Sequence, residues 1–134
     1  MKIVVTHTII GGKKDPEYQY IYYSKLSTLD DESCTEIQLN NSLDFLPERD
    51  KILSLCLTKL CPGGSLSMIG HDVILISKDI FLGILTIQQG NNLLYNDQKS
   101  LDSISKLIVF MRNNNMKIID KQIENYMYKL KVVK

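Results

Sequence analysis

A chain of 134 residues, 44% hydrophobic and 23% charged, has the size and balance of one globular domain with its own core, which excludes a disordered chain. A net charge of +1, with fourteen lysines against two arginines, supplies neither the field nor the guanidinium forks of a nucleic-acid surface. No run approaches the ~18 apolar residues of a membrane span, and the apolar start Ile3-Val4-Val5 is too short for a signal peptide.

In chain order, residues 2–6 form a β-branched run that predicts a strand buried on both faces, ending towards Gly11-Gly12. Lys13-Lys14-Asp15-Pro16 reads as a turn, and Glu17 to Tyr23 as a second, aromatic-rich strand. Thr35-Glu36-Ile37-Gln38-Leu39 alternates with period two and predicts a third strand, stopped by Asn40-Asn41. Pro47 opens a helix whose stripe is Ile52, Leu53, Cys56, Leu57 and Leu60, and Cys61-Pro62-Gly63-Gly64 ends it in a tight turn. A fourth strand follows from Ser65 to Ile69.

Asp72 is placed to cap a short helix from Val73 to about Leu82, broken at Gly83. Residues 84–95 are apolar, a pattern that suits core packing, a lid or an oligomer contact. Asn96 or Asp97 is expected to cap a further helix carrying Leu101, Ile104, Ile108 and Met111, ended by Asn113-Asn114-Asn115. Two strands, Met116–Ile123 and Tyr126–Val133, close the chain as an antiparallel hairpin turning at Glu124-Asn125. The last strand is expected at the sheet edge, where Lys129 and Lys131 guard against edge pairing or form a docking face.

Cys34, Cys56 and Cys61 have no metal-ligand spacing and read as reduced thiols, which predicts a cytoplasmic protein without a metal. The absence of Ala and Trp beside abundant Ile, Lys, Asn and Tyr fits an AT-rich genome, such as that of a low-GC bacterium, its phage or a protist. With no repeat or linker, residues 1–134 are expected to be one domain.

The segment Leu43-Asp44-Phe45-Leu46-Pro47, a helix, and then Leu60-Cys61-Pro62-Gly63-Gly64-Ser65-Leu66-Ser67-Met68-Ile69 resembles the middle of class I SAM-dependent methyltransferases. There a strand leads into a Leu-acidic-aromatic-Leu-Pro segment, and the next helix ends in Leu-x-Pro-Gly-Gly. The resemblance covers roughly residues 35–134. It implies a truncated Rossmann-like three-layer α/β sandwich, with a mainly parallel sheet of about six strands and an antiparallel C-terminal hairpin. It also implies S-adenosylmethionine as cofactor.

The first third departs from that family. Its glycine-rich loop after the first strand is reduced to Gly11-Gly12, and no carboxylate ends the second strand, where Tyr22, Tyr23 and Ser24 stand instead.

In open α/β sheets ligands gather at the C-terminal strand ends. The candidate cofactor residues are therefore Thr6, His7, Gly11, Gly12, Tyr22, Asn40 and Asn41; the candidate substrate residues are His71 and Asp72. Asn40-Asn41 serves equally as a strand-ending turn, and Asp72 equally as a helix cap. Two functions are consistent with this pattern: a minimal methyltransferase, and a non-catalytic methyltransferase-like module that binds a second copy or a protein partner.

Overall fold

A computed structural model describes residues 1–8, 13–40, 43–94 and 100–134. Six strands form one sheet: β1 (Lys2–Thr6), β2 (Gln19–Tyr22), β3 (Cys34–Leu39), β4 (Leu60–His71), β5 (Lys117–Glu124) and β6 (Met127–Val133). Four helices accompany them: α1 (Arg49–Lys59), α2 (Val73–Phe81), α3 (Ile87–Leu94) and α4 (Ile104–Asn113). Spatial order across the sheet is β2-β1-β3-β4-β6-β5. The β2-β1-β3-β4 pairs are parallel, whereas β6 is antiparallel to both its neighbours.

The mainly parallel α/β layout with a closing hairpin is as the sequence predicts. The edge is not. β6 lies between β4 and β5, so β5 is the edge strand and Lys129 and Lys131 stand on an interior strand. The hairpin turns at Asn125 and Tyr126, with φ of 51° and 65°, one residue later than expected. Two successive left-handed residues give the turn whose twist matches the strands.

One face of the sheet makes the core. Ile3, Val5, Ile37, Leu39, Leu66, Met68, Tyr128, Leu130 and Val132 are buried there with Ile52, Leu53 and Cys56 of α1 and Leu107 and Met111 of α4. On the opposite face the described strands carry no buried residue: Val4, Thr6, Gln38, Ser67 and Ile69 are half-buried, and Tyr22 and Lys129 exposed. The β-branched run of β1 is thus buried on one face only. Among the described residues, the fully buried side chains of the strands lie on one side of the sheet.

β4 begins at Leu60, five residues before the predicted Ser65, because Cys61-Pro62-Gly63-Gly64 is absorbed into the strand as an irregularity between Cys34 and Glu36 of β3. Gly63 has φ +78°, and a Cβ on Gly64 would stand 2.9 Å from the Cys61 carbonyl oxygen and 3.1 Å from that of Cys34. Glycine is therefore required at both positions, the first by conformation and the second by space. α1 begins at Arg49, two residues after Pro47, with Glu48 left-handed at φ 50°. α4 is capped by Ser103, whose hydroxyl accepts from Lys106 N. Leu101 therefore lies outside the helix, and the expected caps Asn96 and Asp97 lie outside the described residues.

Cys34 and Cys56 are buried and Cys61 half-buried, all three as free thiols. Burial pushes the Cys56 thiol up to about 12, far from the thiolate that reacts. A thiol-exchange reagent at pH 8 is expected to titrate Cys61 on the native protein, and Cys34 and Cys56 only after unfolding. Rapid native reaction of all three would contradict this packing.

Candidate functional site

The C-terminal ends of the parallel strands bring Thr6 and His7, Tyr22, Asn40 and His71 to one rim of the sheet. Each candidate already has a partner within the protein. Thr6 Oγ1 donates to the Ile21 carbonyl at 3.5 Å. The His7 ring stacks on Phe45, with centroids 4.5 Å apart and planes 14° from parallel. Burial lowers the His7 pKa, which favours the uncharged ring in this stack. Tyr22 leans against Tyr23 at 4.8 Å.

Asn40 Nδ2 donates to Gln38 Oε1 at 2.9 Å, and Gln38 Nε2 donates to Glu36 Oε1 at 3.1 Å, a polar ladder running along β3. Gly11, Gly12 and Asn41 lie outside the described residues.

His71 and Asp72 are neighbours in sequence that do different work. Asp72 is buried and accepts from Leu75 N and Ile104 N, each at 2.9 Å. One carboxylate thereby caps α2 and holds the start of α4 beside it, meeting backbone N–H groups that a helix start leaves unpaired. That makes Asp72 a structural residue.

His71 instead pairs with Asp44, which sits in the 3-10 turn Leu43–Phe45. Asp44 Oδ2 accepts from both the His71 backbone N and His71 Nδ1, each at 2.9 Å. A carboxylate on Nδ1 selects the tautomer whose Nε2 carries no hydrogen and can accept a proton.

Behind this pair lies a buried ion network that the sequence reading did not find. Arg49 Nη2 donates to Asp44 Oδ1 at 3.2 Å and to the Ser100 carbonyl at 3.0 Å, while Arg49 Nε donates to Ser100 Oγ at 3.1 Å. Its Nη1 stands 3.2 Å from Asp102 Oδ2, an ion-pair distance without hydrogen-bond geometry. Side chains of Asp44, Arg49 and Asp102 are at most 4% exposed.

Tyr128 reaches the same spot from β6. Burial raises its pKa; Arg49 opposes the rise, and Asp44 and Asp102 add to it. Its hydroxyl meets the Arg49 guanidinium in a contact that falls short of good hydrogen-bond geometry. The turn Leu43–Phe45, within the segment that carries the methyltransferase resemblance, thus supplies the carboxylate that orients His71.

The sequence matches no family model and no curated protein. Solved structures do match. A SAM-dependent methyltransferase from Thermotoga maritima superposes with a TM-score of 0.60 at 16% identity, over 87% of this chain and 63% of its own. A SAM-dependent methyltransferase from Archaeoglobus fulgidus gives 0.58 at 8% identity, over 88% and 68%. The Burkholderia thailandensis 1,6-didemethyltoxoflavin-N1-methyltransferase, solved with that compound and S-adenosylhomocysteine, gives 0.59 at 11% identity, over 98% and 60%.

The chain has the class I methyltransferase fold.

It spans about 63% of the length of the Thermotoga protein. Within this methyltransferase fold, the second strand ends in Tyr22, followed by Tyr23 at the head of a 3-10 turn. The ribose hydroxyls of S-adenosylmethionine call for a carboxylate that accepts two hydrogen bonds there. A phenol oxygen is a weaker acceptor, and Tyr22 packs its ring on Tyr23. The described residues do not fit the cofactor's ribose.

Proposed function

We propose that this chain is a methyltransferase-like module that binds a macromolecular partner or a second copy and does not transfer methyl groups. The observation supporting this most directly is the tyrosine pair Tyr22–Tyr23 at the end of β2, where a nucleoside cofactor would need a carboxylate. The His7–Phe45 stack beside it agrees, since two rings are spent on each other where β1 delivers the chain to the rim.

Titration calorimetry with S-adenosylmethionine and S-adenosylhomocysteine at millimolar concentration tests this reading. No heat and no rise in melting temperature are expected. A ligand at 100 times its dissociation constant would add about 2.7 kcal/mol of stability, a shift too large to overlook, and would overturn the proposal.

A second reading is favoured by His71–Asp44: an enzyme in which His71 accepts a proton from the group being modified. On that reading the cofactor binds, and His71→Asn lowers turnover while cofactor affinity stays the same. Calorimetry therefore separates the two readings before any substrate is known.

A further inference from the structure

We propose that the outer edge of β5, with the groove between β5 and α4, docks an extended segment of a partner protein that carries apolar and acidic side chains and adds to the sheet as a further strand. The inference rests on the reading of this chain as a binding module and names the chemistry of what it binds.

β5 ends the strand order, and among the described residues no strand pairs with its outer side. Such an edge turns a row of backbone N–H and C=O groups outward, and another extended segment is what meets that row. Bulges and lysines commonly guard edges of this kind. Here the irregularity lies near the start of β5, between Ile118 and Asp120, and the residues from Asp120 to Glu124 pair one by one with β6. That regular stretch is long enough to seat a short strand.

Side-chain direction divides the stretch into two faces. Lys121 and Ile123 stand opposite Leu130 and Tyr128, both buried in the core with Leu107 and Met111 of α4, so they face α4. Asp120, Gln122 and Glu124 stand opposite Lys131, Lys129 and Met127 on the other face. On the α4 side a groove of about 380 Å³ is lined by Ile104, Ser105 and Ile108 of α4 and by Lys121 and Ile123 of β5, with Gln122 between them. A strand laid beside β5 would send every second side chain towards this groove.

Charge selects the partner. Arg112 lies about one helical turn beyond Ile108 on the same side of α4, and neither Arg112 nor Lys121 joins an ion pair among the described residues. α4 contains no acidic residue, and both acids of β5 point to the opposite face. The groove therefore combines apolar walls with two unpaired cations, which fits a strand bearing an apolar and an acidic side chain two residues apart. A second copy fits poorly, because its own β5 would bring Lys121 to the groove side, cation against cation.

Fluorescence anisotropy of a labelled peptide repeating Val-Thr-Glu-Thr, about twelve residues long, titrated with the whole chain, is the test. Saturable binding is expected. Lys121→Glu should weaken it about tenfold or more and Ile123→Asn several-fold, both with unchanged circular dichroism because the two side chains are exposed. Lys129→Glu, on the far face of the interior strand β6, should leave the affinity unchanged.

A Val-Thr-Lys-Thr peptide, and the acidic peptide with methyl groups on its backbone nitrogens, are expected not to bind. A dissociation constant weaker than about 1 mM for the acidic peptide would overturn the proposal, and so would equal binding of the lysine or the methylated peptide. Dimers that form with rising concentration while the peptide fails to bind would assign the edge to a second copy instead. None of these results depends on S-adenosylmethionine, whose calorimetric titration tests the module reading separately.

Discussion

Arg49→Met is expected to remove about 3–5 kcal/mol of stability, the loss typical of breaking a buried ion pair by deleting one partner. The substitution keeps most of the side-chain volume but leaves Asp44 and Asp102 as buried like charges with no cation between them. It also removes the guanidinium donors to the Ser100 hydroxyl and carbonyl, although that hydroxyl still donates to the Leu46 carbonyl.

Lys106 stands 3.7 Å from Asp102 Oδ2 but is 64% exposed, so it relieves only a small part of the penalty. Urea denaturation reads the effect directly. The triple variant Asp44→Asn, Arg49→Met, Asp102→Asn should recover part of the loss, because replacing a whole buried ionic group costs less than breaking it. A single-variant loss below about 1 kcal/mol would show that water reaches these carboxylates and that the network is not a sealed one.

How much of this was legible in the sequence depends on the range of the interaction. The β3 alternation of Glu36, Ile37, Gln38 and Leu39 announced a half-buried strand, because side-chain direction there is set by the backbone alone. Asp72 announced itself as a helix cap for the same local reason.

By contrast, β1 reads Ile3, Val4, Val5 and Thr6, and β-branched residues suit either face, so the sequence could not reveal that Val4 and Thr6 are only half-buried. The start of α4 was misplaced since Asn96, Asp97 and Ser103 are all good caps, and choosing among them needs the tertiary position of Ile104, which Asp72 holds from 32 residues away. The site was least legible of all. His71 meets Asp44 across 27 residues, and Arg49 meets Ser100 across 51. The one sequence-level hint was rarity: Arg49 is one of two arginines among sixteen basic residues, and the planar fork of arginine suits a buried junction between carboxylates and carbonyls better than lysine does.

Gly70→Ala is the substitution expected to act most strongly through shape. Gly70 pairs directly with Tyr128 in the β4–β6 register. A Cβ at position 70 would lie 2.5 Å from Tyr128 Oη, 2.8 Å from Tyr128 Cζ and 2.7 Å from Asp44 Oδ1. Neither neighbour has free space to move into, since Tyr128 is fully buried and Asp44 is 3% exposed. The expected cost is about 2–3 kcal/mol of overpacking, with a disturbed Asp44–His71 contact on top.

Tyr128→Phe by itself should cost little, because the buried hydroxyl it deletes meets only the Arg49 guanidinium, in a contact short of good hydrogen-bond geometry. In the Tyr128→Phe background the nearest clash, with the hydroxyl, is gone while those with the ring and the carboxylate remain. Gly70→Ala should then cost at least 1 kcal/mol less (roughly the smaller end of couplings between touching residues). Strict additivity of the two changes in denaturant unfolding would mean that the ring does not stand over Gly70, and that the closeness of β6 to the His71–Asp44 pair has been misassigned.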